Sequence, residues 1–121
     1  MSKIFIVEDD KFLRELISQE LKREGFDIAE AIDGEDGLKK IPEEKPDLIL
    51  LDLILPGING FDVLKKIKED KSVSQIPVII LSNLGQKDNI DRGIGLGAVD
   101  YLIKAYFTPR EIIEKLKKFI K

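Results

Sequence analysis

A short apolar run that ends in a carboxylate constrains this chain most. Leu48–Leu51 is apolar at every position, which is typical of a strand buried on both faces of a parallel sheet. Asp52 follows, and a carboxylate is costly to bury without partners. The run therefore predicts a central parallel strand with Asp52 at its carboxyl end, the edge at which open α/β sheets bind ligands. An isolated aspartate could simply solvate a strand end, so the other strands decide whether Asp52 has a chemical role.

The rest of the chain repeats the alternation of strand and helix. Strands are predicted at residues 3–7, 26–31, 48–51, 78–81 and 99–103. Apolar residues at helical spacing follow each of them. Such alternation predicts an α/β fold with a doubly wound, five-stranded parallel sheet, right-handed crossovers and helices on both faces. We expect a single domain over residues 1–121, because this length suits one hydrophobic core.

Helix ends and buried stripes can also be read from the sequence. Asp10, Asp33 and Thr108 are placed to cap the first, second and fifth helices. The fourth helix should be short or mobile, because Gly93 and Gly95 each cost a helix interior about 1 kcal/mol relative to alanine. The first helix is expected to carry Phe12, Leu13, Leu16, Ile17 and Leu21 on its apolar face. The buried stripe of the last is expected to consist of Ile112, Ile113, Leu116, Phe119 and Ile120.

Composition excludes several kinds of site. The chain has no cysteine and no histidine, which removes disulfides, thiolate catalysis, zinc-thiolate sites and Ser-His-Asp hydrolases. Its net charge of −3 comes from 20 basic and 23 acidic residues spread along the chain, so nucleic acid is not expected as a direct partner. Neither a cationic leader nor an apolar run of membrane length is visible, and we expect a cytoplasmic protein without membrane contact.

Polar residues follow four of the predicted strands directly. Glu8 and Asp9 come after the first strand, Asp52 after the third, Ser82 after the fourth and Lys104 after the fifth. Because the carboxyl ends of parallel strands share one edge, these side chains should converge if the first and third strands are neighbours. Crowded carboxylates need a cation, and oxygen ligands without histidine or cysteine favour Mg²⁺.

Lys104 and Ser82 indicate which chemical group binds beside Asp52. An ammonium balances one anionic oxygen and a hydroxyl donates to another, which favours a phosphoryl group. Asp52 would then be the nucleophile that forms an acyl phosphate. Each residue has a plainer explanation, since Ser82 could cap the next helix and Lys104 could be a solvated strand end. The coincidence at four strand ends favours the chemical interpretation.

At this point the sequence resembles the response-regulator receiver domain of the chemotaxis-regulator type over essentially its whole length. The matching segments are Ile-Val-Glu-Asp-Asp at 6–10, Leu-Leu-Asp-Leu-Ile-Leu-Pro-Gly at 50–57, Leu-Ser at 81–82 and Ala-Val-Asp-Tyr-Leu-Ile-Lys at 98–104. The resemblance implies a flavodoxin-like sheet with strand order 2-1-3-4-5.

The resemblance also implies roles for individual residues. Asp52 corresponds to the phosphoacceptor and Asp9 to a direct Mg²⁺ ligand. Glu8 corresponds to a companion acid that acts through water. Ile54 stands at a position whose backbone carbonyl ligates the metal, so its aliphatic side chain is no objection. Lys104 corresponds to the lysine that pairs with the phosphoryl group.

A signalling mechanism follows from the same resemblance. A phosphohistidine on a sensor histidine kinase or phosphotransfer protein would supply the phosphoryl group. Ser82 and Tyr101 correspond to the switch residues, which repack a surface of helix four, strand five and helix five for a downstream protein. Whether this surface also drives phosphorylation-dependent homodimers is left open. Such a chain catalyses its own phosphorylation and dephosphorylation but is mainly a signalling switch.

Two departures from the family pattern lead to predictions. Ala105 follows Lys104 where most members have proline, often with a cis peptide. We expect either a trans bond with a shifted loop or a retained cis bond, which would cost about 2.5–4 kcal/mol. Ile54 and Leu84 flank the predicted acyl phosphate with apolar side chains, so slow self-dephosphorylation is expected, since a hydrolytic water needs polar partners.

Two other classes share part of this pattern. A phosphatase of the haloacid dehalogenase type also combines Asp, Ser or Thr, Lys and Mg²⁺, but it needs a general acid two residues after the nucleophile, where this chain has Ile54. A flavin-binding module of the same topology needs a neutral, hydroxyl-rich phosphate loop after its first strand. The acidic segment at residues 8–10 would repel a phosphate instead.

Overall fold

The computed structural model describes residues 2–120 as five parallel strands interleaved with five helices. The strands are β1 (Lys3–Val7), β2 (Asp27–Ala31), β3 (Leu48–Leu51), β4 (Val78–Ser82) and β5 (Asp100–Ile103). The helices are α1 (Lys11–Arg23), α2 (Gly34–Glu44), α3 (Gly60–Glu69), α4 (Lys87–Gly95) and α5 (Pro109–Lys117), with a 3₁₀ turn at Lys104–Tyr106. The sheet order β2-β1-β3-β4-β5 confirms the predicted doubly wound fold. None of these helices is long and apolar enough to cross a membrane.

The register of β1 and β3 places the polar residues that follow these strands side by side. Val7 of β1 pairs with Leu51 of β3, so the next residue of each strand emerges at the same height. The amide of Asp52 donates to the carbonyl of Val7 at 3.0 Å, which continues the ladder to this point. The ends of β1 and β3 are therefore adjacent, as the sequence predicts.

Two hydrophobic layers cover the faces of the sheet. Phe5, Ile49 and Leu51 face the layer formed by α2, α3 and α4, whereas Ile4 and Leu50 face α1 and α5. All four residues of β3 are buried, so successive side chains point to opposite faces and both faces are dry. Burial of each such side chain contributes about 1.5–3 kcal/mol. The purely apolar runs thus have a direct structural cause.

Capping side chains fix where the helices begin. The Asp10 carboxylate accepts from the amide of Leu13 at 3.1 Å, and Asp33 accepts from Asp36 at 2.8 Å. Thr108 forms a complete capping box at the start of α5. All three predicted caps are confirmed, which places the strand-to-helix turns firmly at the carboxyl edge of the sheet.

The apolar stripes of two helices differ from the prediction. Phe12, in the first turn of α1, is 72% exposed. Helix α5 ends at Lys117, so Phe119 lies outside it and is 37% exposed. The buried part of the α5 stripe is limited to Ile112, Ile113 and Leu116.

The two glycines of α4 have different environments. A Cβ at Gly93 would lie 2.5 Å from Cδ1 of Ile80 and 3.1 Å from the ring of Tyr101, whereas a Cβ at Gly95 would meet nothing within 4 Å. Gly93 therefore allows close packing of α4 on the sheet. The helix is short, as predicted, with nine residues.

Candidate functional site

Three carboxylates converge at the adjacent ends of β1 and β3. One oxygen from each of Glu8, Asp9 and Asp52 lies within 4.8 Å of the others. Glu8 and Asp52 are only 2% and 4% exposed, whereas Asp9 is exposed. The prediction that acids from these two strands meet is confirmed. A set of oxygen ligands that is open to solvent on one side fits a hard cation such as Mg²⁺, which keeps several waters.

Lys104 crosses from the end of β5 to the two buried acids. Its Nζ lies 2.7 Å from Oε1 of Glu8 and 2.9 Å from Oδ2 of Asp52, and its side chain is 16% exposed. Removing one partner from a buried ion pair typically costs about 3–5 kcal/mol because it leaves the other charge uncompensated. The ammonium therefore acts as an internal counter-ion for the acid cluster.

The second oxygen of Asp52 is held by the turn that follows β3. Its Oδ1 accepts from the amide of Leu53 at 2.7 Å and from that of Ile54 at 3.3 Å. Backbone donors and the Lys104 ammonium thus fix both oxygens of this carboxylate. Such an arrangement orients a nucleophile and also favours negative charge at its oxygens.

Burial and hydrogen bonding act in opposite directions on Glu8. Burial raises the pKa of its carboxyl to about 7, with a further upward contribution from the charge of Asp52, although hydrogen bonds from Lys104 and from the Asp10 amide lower it. Burial by itself would lower the pKa of Lys104, but its hydrogen bonds with Glu8 and Asp52 raise it overall. Lys104 therefore stays cationic at neutral pH, while Glu8 can exchange a proton near pH 7.

The raised pKa of Glu8 predicts a specific pH dependence in the metal-free protein. The folded state binds the proton more tightly than the unfolded chain, whose ordinary value is 4.5. The free energy of unfolding should therefore fall as pH rises from about 4.5 through 7 for this group. Denaturant titrations at several pH values, with a chelator present, would show a steeper fall for the wild type than for Glu8→Gln. Equal slopes for the two proteins would contradict this assignment.

Ser82 and Tyr101 meet at a common residue. Ser82 is fully buried, and its hydroxyl oxygen accepts from the amide of Leu84 at 3.3 Å. The hydroxyl of Tyr101 donates to the carbonyl of Leu84. Burial, and secondarily the charge of Asp52, raises the pKa of Tyr101, which keeps its hydroxyl protonated as a donor. The two predicted switch side chains are thus linked through one peptide segment of the β4–α4 loop, a link that sequence inspection did not identify.

The loops after β3 and β5 complete the rim of the site. Ile54 is 57% exposed beside Asp52, and its amide donates to that carboxylate; metal ligation by its carbonyl rests on the family resemblance. All described peptide bonds are trans, including the one between Lys104 and Ala105. The trans peptide is therefore confirmed, and the chain passes through the 3₁₀ turn that ends at Tyr106.

Arg14 is a largely buried residue of the site region that the sequence prediction missed. Its Nη1 donates to the backbone carbonyl of Glu8 at 2.8 Å, and its side chain is only 13% exposed. The available signal was an arginine on the helix face that otherwise carries Leu13 and Ile17. A charged residue on such a face indicates a specific buried partner.

Comparisons with known proteins agree with the fold. The family model of the response regulator receiver domain matches residues 4–117. The phosphate regulon transcriptional regulatory protein PhoB of Pseudomonas aeruginosa is 38% identical over 118 residues, which are 98% of this chain and 51% of that protein. This chain thus spans about half the length of that regulator.

Solved structures give the same result. The chemotaxis response regulator CheY4 of Vibrio cholerae superposes with a TM-score of 0.91 at 25% identity, covering 99% of both chains. The BeF3-activated N-terminal receiver domain of Klebsiella pneumoniae RstA gives 0.90 at 30% identity, covering 99% of this chain and 100% of that one. With the family match extending over residues 4–117 and the same fold, this chain belongs to the response regulator receiver domain family of two-component systems.

Proposed function

We propose that Asp52 accepts a phosphoryl group from a phosphohistidine on a sensor histidine kinase or phosphotransfer protein. The observation that supports this best is the pairing of buried Asp52 with Lys104 at 2.9 Å, beside two further acids at the same strand ends. In the transfer, an Asp52 carboxylate oxygen would form a bond to phosphorus while the bond between phosphorus and the histidine nitrogen breaks. The imidazole of the donor leaves with the electron pair and is then protonated.

Lys104 is placed so that its ammonium can change ion-pair partner during this reaction. Before transfer its ammonium is shared between Glu8 and Asp52. After transfer the new negative charge would lie on the phosphoryl oxygens, and the same ammonium could pair with one of them after a small movement. The amides of Leu53 and Ile54 would continue to hold Oδ1 of Asp52.

The acid cluster would hold Mg²⁺ beside the acceptor. Asp9 and Asp52 would ligate it directly, Glu8 through water, and Ile54 through its backbone carbonyl. When bound there, the ion supplies positive charge that reduces repulsion between the acceptor and the incoming phosphoryl group. The three carboxylates support this role because one oxygen from each lies within 4.8 Å of the others.

Phosphorylation would be read out at the surface formed by α4, β5 and α5. Ser82 would reorient toward the phosphoryl group, and Tyr101 would follow through their common contact with Leu84. For a sharp response, phosphorylation must favour the active arrangement by several kcal/mol. A change from about 1% to about 99% of molecules in the active arrangement needs about 5.5 kcal/mol. A downstream protein, or a second copy of the chain, would bind the rearranged surface. The related PhoB is a transcriptional regulator about twice as long, so residues 1–121 would act as one receiver unit.

Intact mass spectrometry tests the acceptor directly. Incubation with Mg²⁺ and acetyl phosphate should add one phosphoryl group to the wild type and none to Asp52→Asn, because an amide cannot form the acyl phosphate. Asp10→Asn is the matched control, since the Asp10 side chain caps α1, asparagine caps equally well, and the backbone amide that bonds Glu8 is kept. Modification of Asp52→Asn at the wild-type level, or an unmodified wild type, would reject the proposal. The phosphatase alternative receives no support, because Ile54 occupies the position of its general acid.

A further inference from the structure

We infer that Arg14 is a positioning residue for the proposed Mg²⁺ site. It acts through the hydrogen bond from its Nη1 to the backbone carbonyl of Glu8, at 2.8 Å. The inference rests on the proposed metal-binding role of the acid cluster. Among its described hydrogen bonds and ion pairs, Arg14 contacts the acid cluster at Glu8 and touches neither the side chain of Asp9 nor that of Asp52.

The backbone of Glu8 is held on both sides. Its amide donates to the carbonyl of Ala31 at 3.1 Å, and its carbonyl accepts from Arg14. Glu8 is the first residue beyond β1, and its carbonyl accepts from a side chain instead of from a neighbouring strand. The guanidinium therefore extends the order of the strand by one residue and fixes the direction in which the Glu8 side chain leaves it. That side chain then reaches Lys104 and the amide of Asp10.

Arg14 is itself held in place by a second contact. Its Nε lies 3.8 Å from Oε1 of Glu30 on β2, and the hydroxyl of Ser18 donates to the other oxygen of the same carboxylate. The guanidinium thus joins the first turn of α1, the end of β1 and the neighbouring strand β2. A planar side chain with several donors suits this task because it can address two partners at once.

The direction of the expected effect separates positioning from simple electrostatics. Loss of a positive charge near three carboxylates would, by Coulomb attraction alone, strengthen the binding of a divalent cation. Loss of a hydrogen bond that orients a ligand would weaken it, typically by about tenfold to a hundredfold for outer partners of metal ligands. The two explanations therefore predict opposite signs for the same substitution.

Calorimetric titration with Mg²⁺ gives the first measurement. Arg14→Gln is expected to bind Mg²⁺ about tenfold more weakly than the wild type. Arg14→Lys keeps the positive charge and an N–H donor, and it should recover part of the Mg²⁺ affinity. Arg23→Gln is the matched control, because Arg23 is exposed and pairs with Glu20 within α1; its affinity should be unchanged. Denaturant unfolding of each variant checks that the protein remains folded.

A double-mutant cycle with Glu8→Gln gives the second measurement. If Arg14 acts through Glu8, adding Arg14→Gln to Glu8→Gln should weaken Mg²⁺ binding no further. The inference would be overturned if Arg14→Gln lowered the Mg²⁺ affinity equally in the wild-type and Glu8→Gln backgrounds. It would also be overturned if Arg14→Gln bound Mg²⁺ as tightly as the wild type or more tightly, or if the wild type bound no Mg²⁺. If Glu8→Gln binds too weakly to measure, the sign of the single Arg14→Gln effect decides. If the Mg²⁺-binding cycle gives the expected result but acetyl phosphate does not modify the wild type, the proposed function is rejected and this inference stands.

Discussion

Replacement of Gly60 by alanine is expected to destabilise the protein by about 3 kcal/mol. A Cβ at this position would lie 2.3 Å from the carbonyl oxygen of Asp52 and 2.4 Å from Cα of Leu53. Both are main-chain atoms, so no side chain can rotate away to relieve the overlap. The first residue of α3 and the end of β3 would have to separate, against the hydrogen bond from the Gly60 amide to the Leu53 carbonyl at 2.9 Å.

The same substitution should also impair the site, because Asp52 belongs to the main chain that must move. Transfer from acetyl phosphate should therefore be slower in Gly60→Ala, even under conditions where the variant is fully folded. Urea unfolding gives the loss of stability, and the rate of mass increase gives the loss of transfer. An unfolding midpoint equal to that of the wild type would show that α3 does not approach Asp52 this closely.

Gly95 offers a matched control on another helix. It is the last residue of α4, its Cβ would meet nothing within 4 Å, and it has no left-handed backbone conformation. Gly95→Ala is therefore expected to stabilise the protein by about 0.5–1 kcal/mol, by reducing the conformational freedom of the unfolded chain. If alanine lowers the free energy of unfolding at Gly60 and raises it at Gly95, the effect of steric overlap is separated from the effect of backbone entropy.

The sequence predicted the sheet and most of the acid site because both depend on simple local patterns. Strands buried on both faces need unbroken apolar runs, and β3 and β4 have them. In a parallel sheet, the residues that follow such runs share one edge regardless of the details of packing. Glu8, Asp52 and Lys104 could therefore be assigned to one edge of the sheet from the sequence, and to one site on the condition that the first and third strands are neighbours.

Features that depend on how helices lie on the sheet could not be predicted in this way. Helical spacing placed Phe12 on a buried face, but its side chain is 72% exposed. Arg14 lies two residues further on, and its contact with Glu8 joins α1 to the residue that follows β1, a tertiary contact that helical spacing does not specify. The bridging role of Leu84 uses its backbone rather than its side chain, so its residue type carried no signal.

The described arrangement also shows a role for Lys104 that the family resemblance did not include. The expected partner was a phosphoryl group, whereas here the ammonium bridges Glu8 and Asp52. Three carboxylates in close proximity repel one another, and a single internal cation offsets part of that repulsion. Binding of a divalent cation would relieve the remainder, so Lys104 would then be free to follow the charge on Asp52.

Substitution of Ile54 by asparagine is expected to accelerate loss of the phosphoryl group from Asp52 by about tenfold. The Ile54 side chain is 57% exposed at the rim beside Asp52, and the half-buried Leu84 follows Ser82 on the neighbouring strand end. Neither side chain can donate or accept a hydrogen bond, so neither can hold a water in line with the acyl phosphate. An amide at position 54 would offer both a donor and an acceptor at this edge.

The measurement is the decay of the phosphorylated mass after the phosphodonor has been removed, with Mg²⁺ kept constant. Ile54→Leu should decay as slowly as the wild type because it remains apolar. Ile32→Asn provides a second comparison, since Ile32 has a similar exposure of 54% but follows β2 at the edge of the sheet. Equal lifetimes for Ile54→Asn and Ile54→Leu would show that the side chain at this position does not control access of water. A faster decay in Ile32→Asn as well would show that an amide far from the site has the same effect, because that side chain lies two strands away from Asp52.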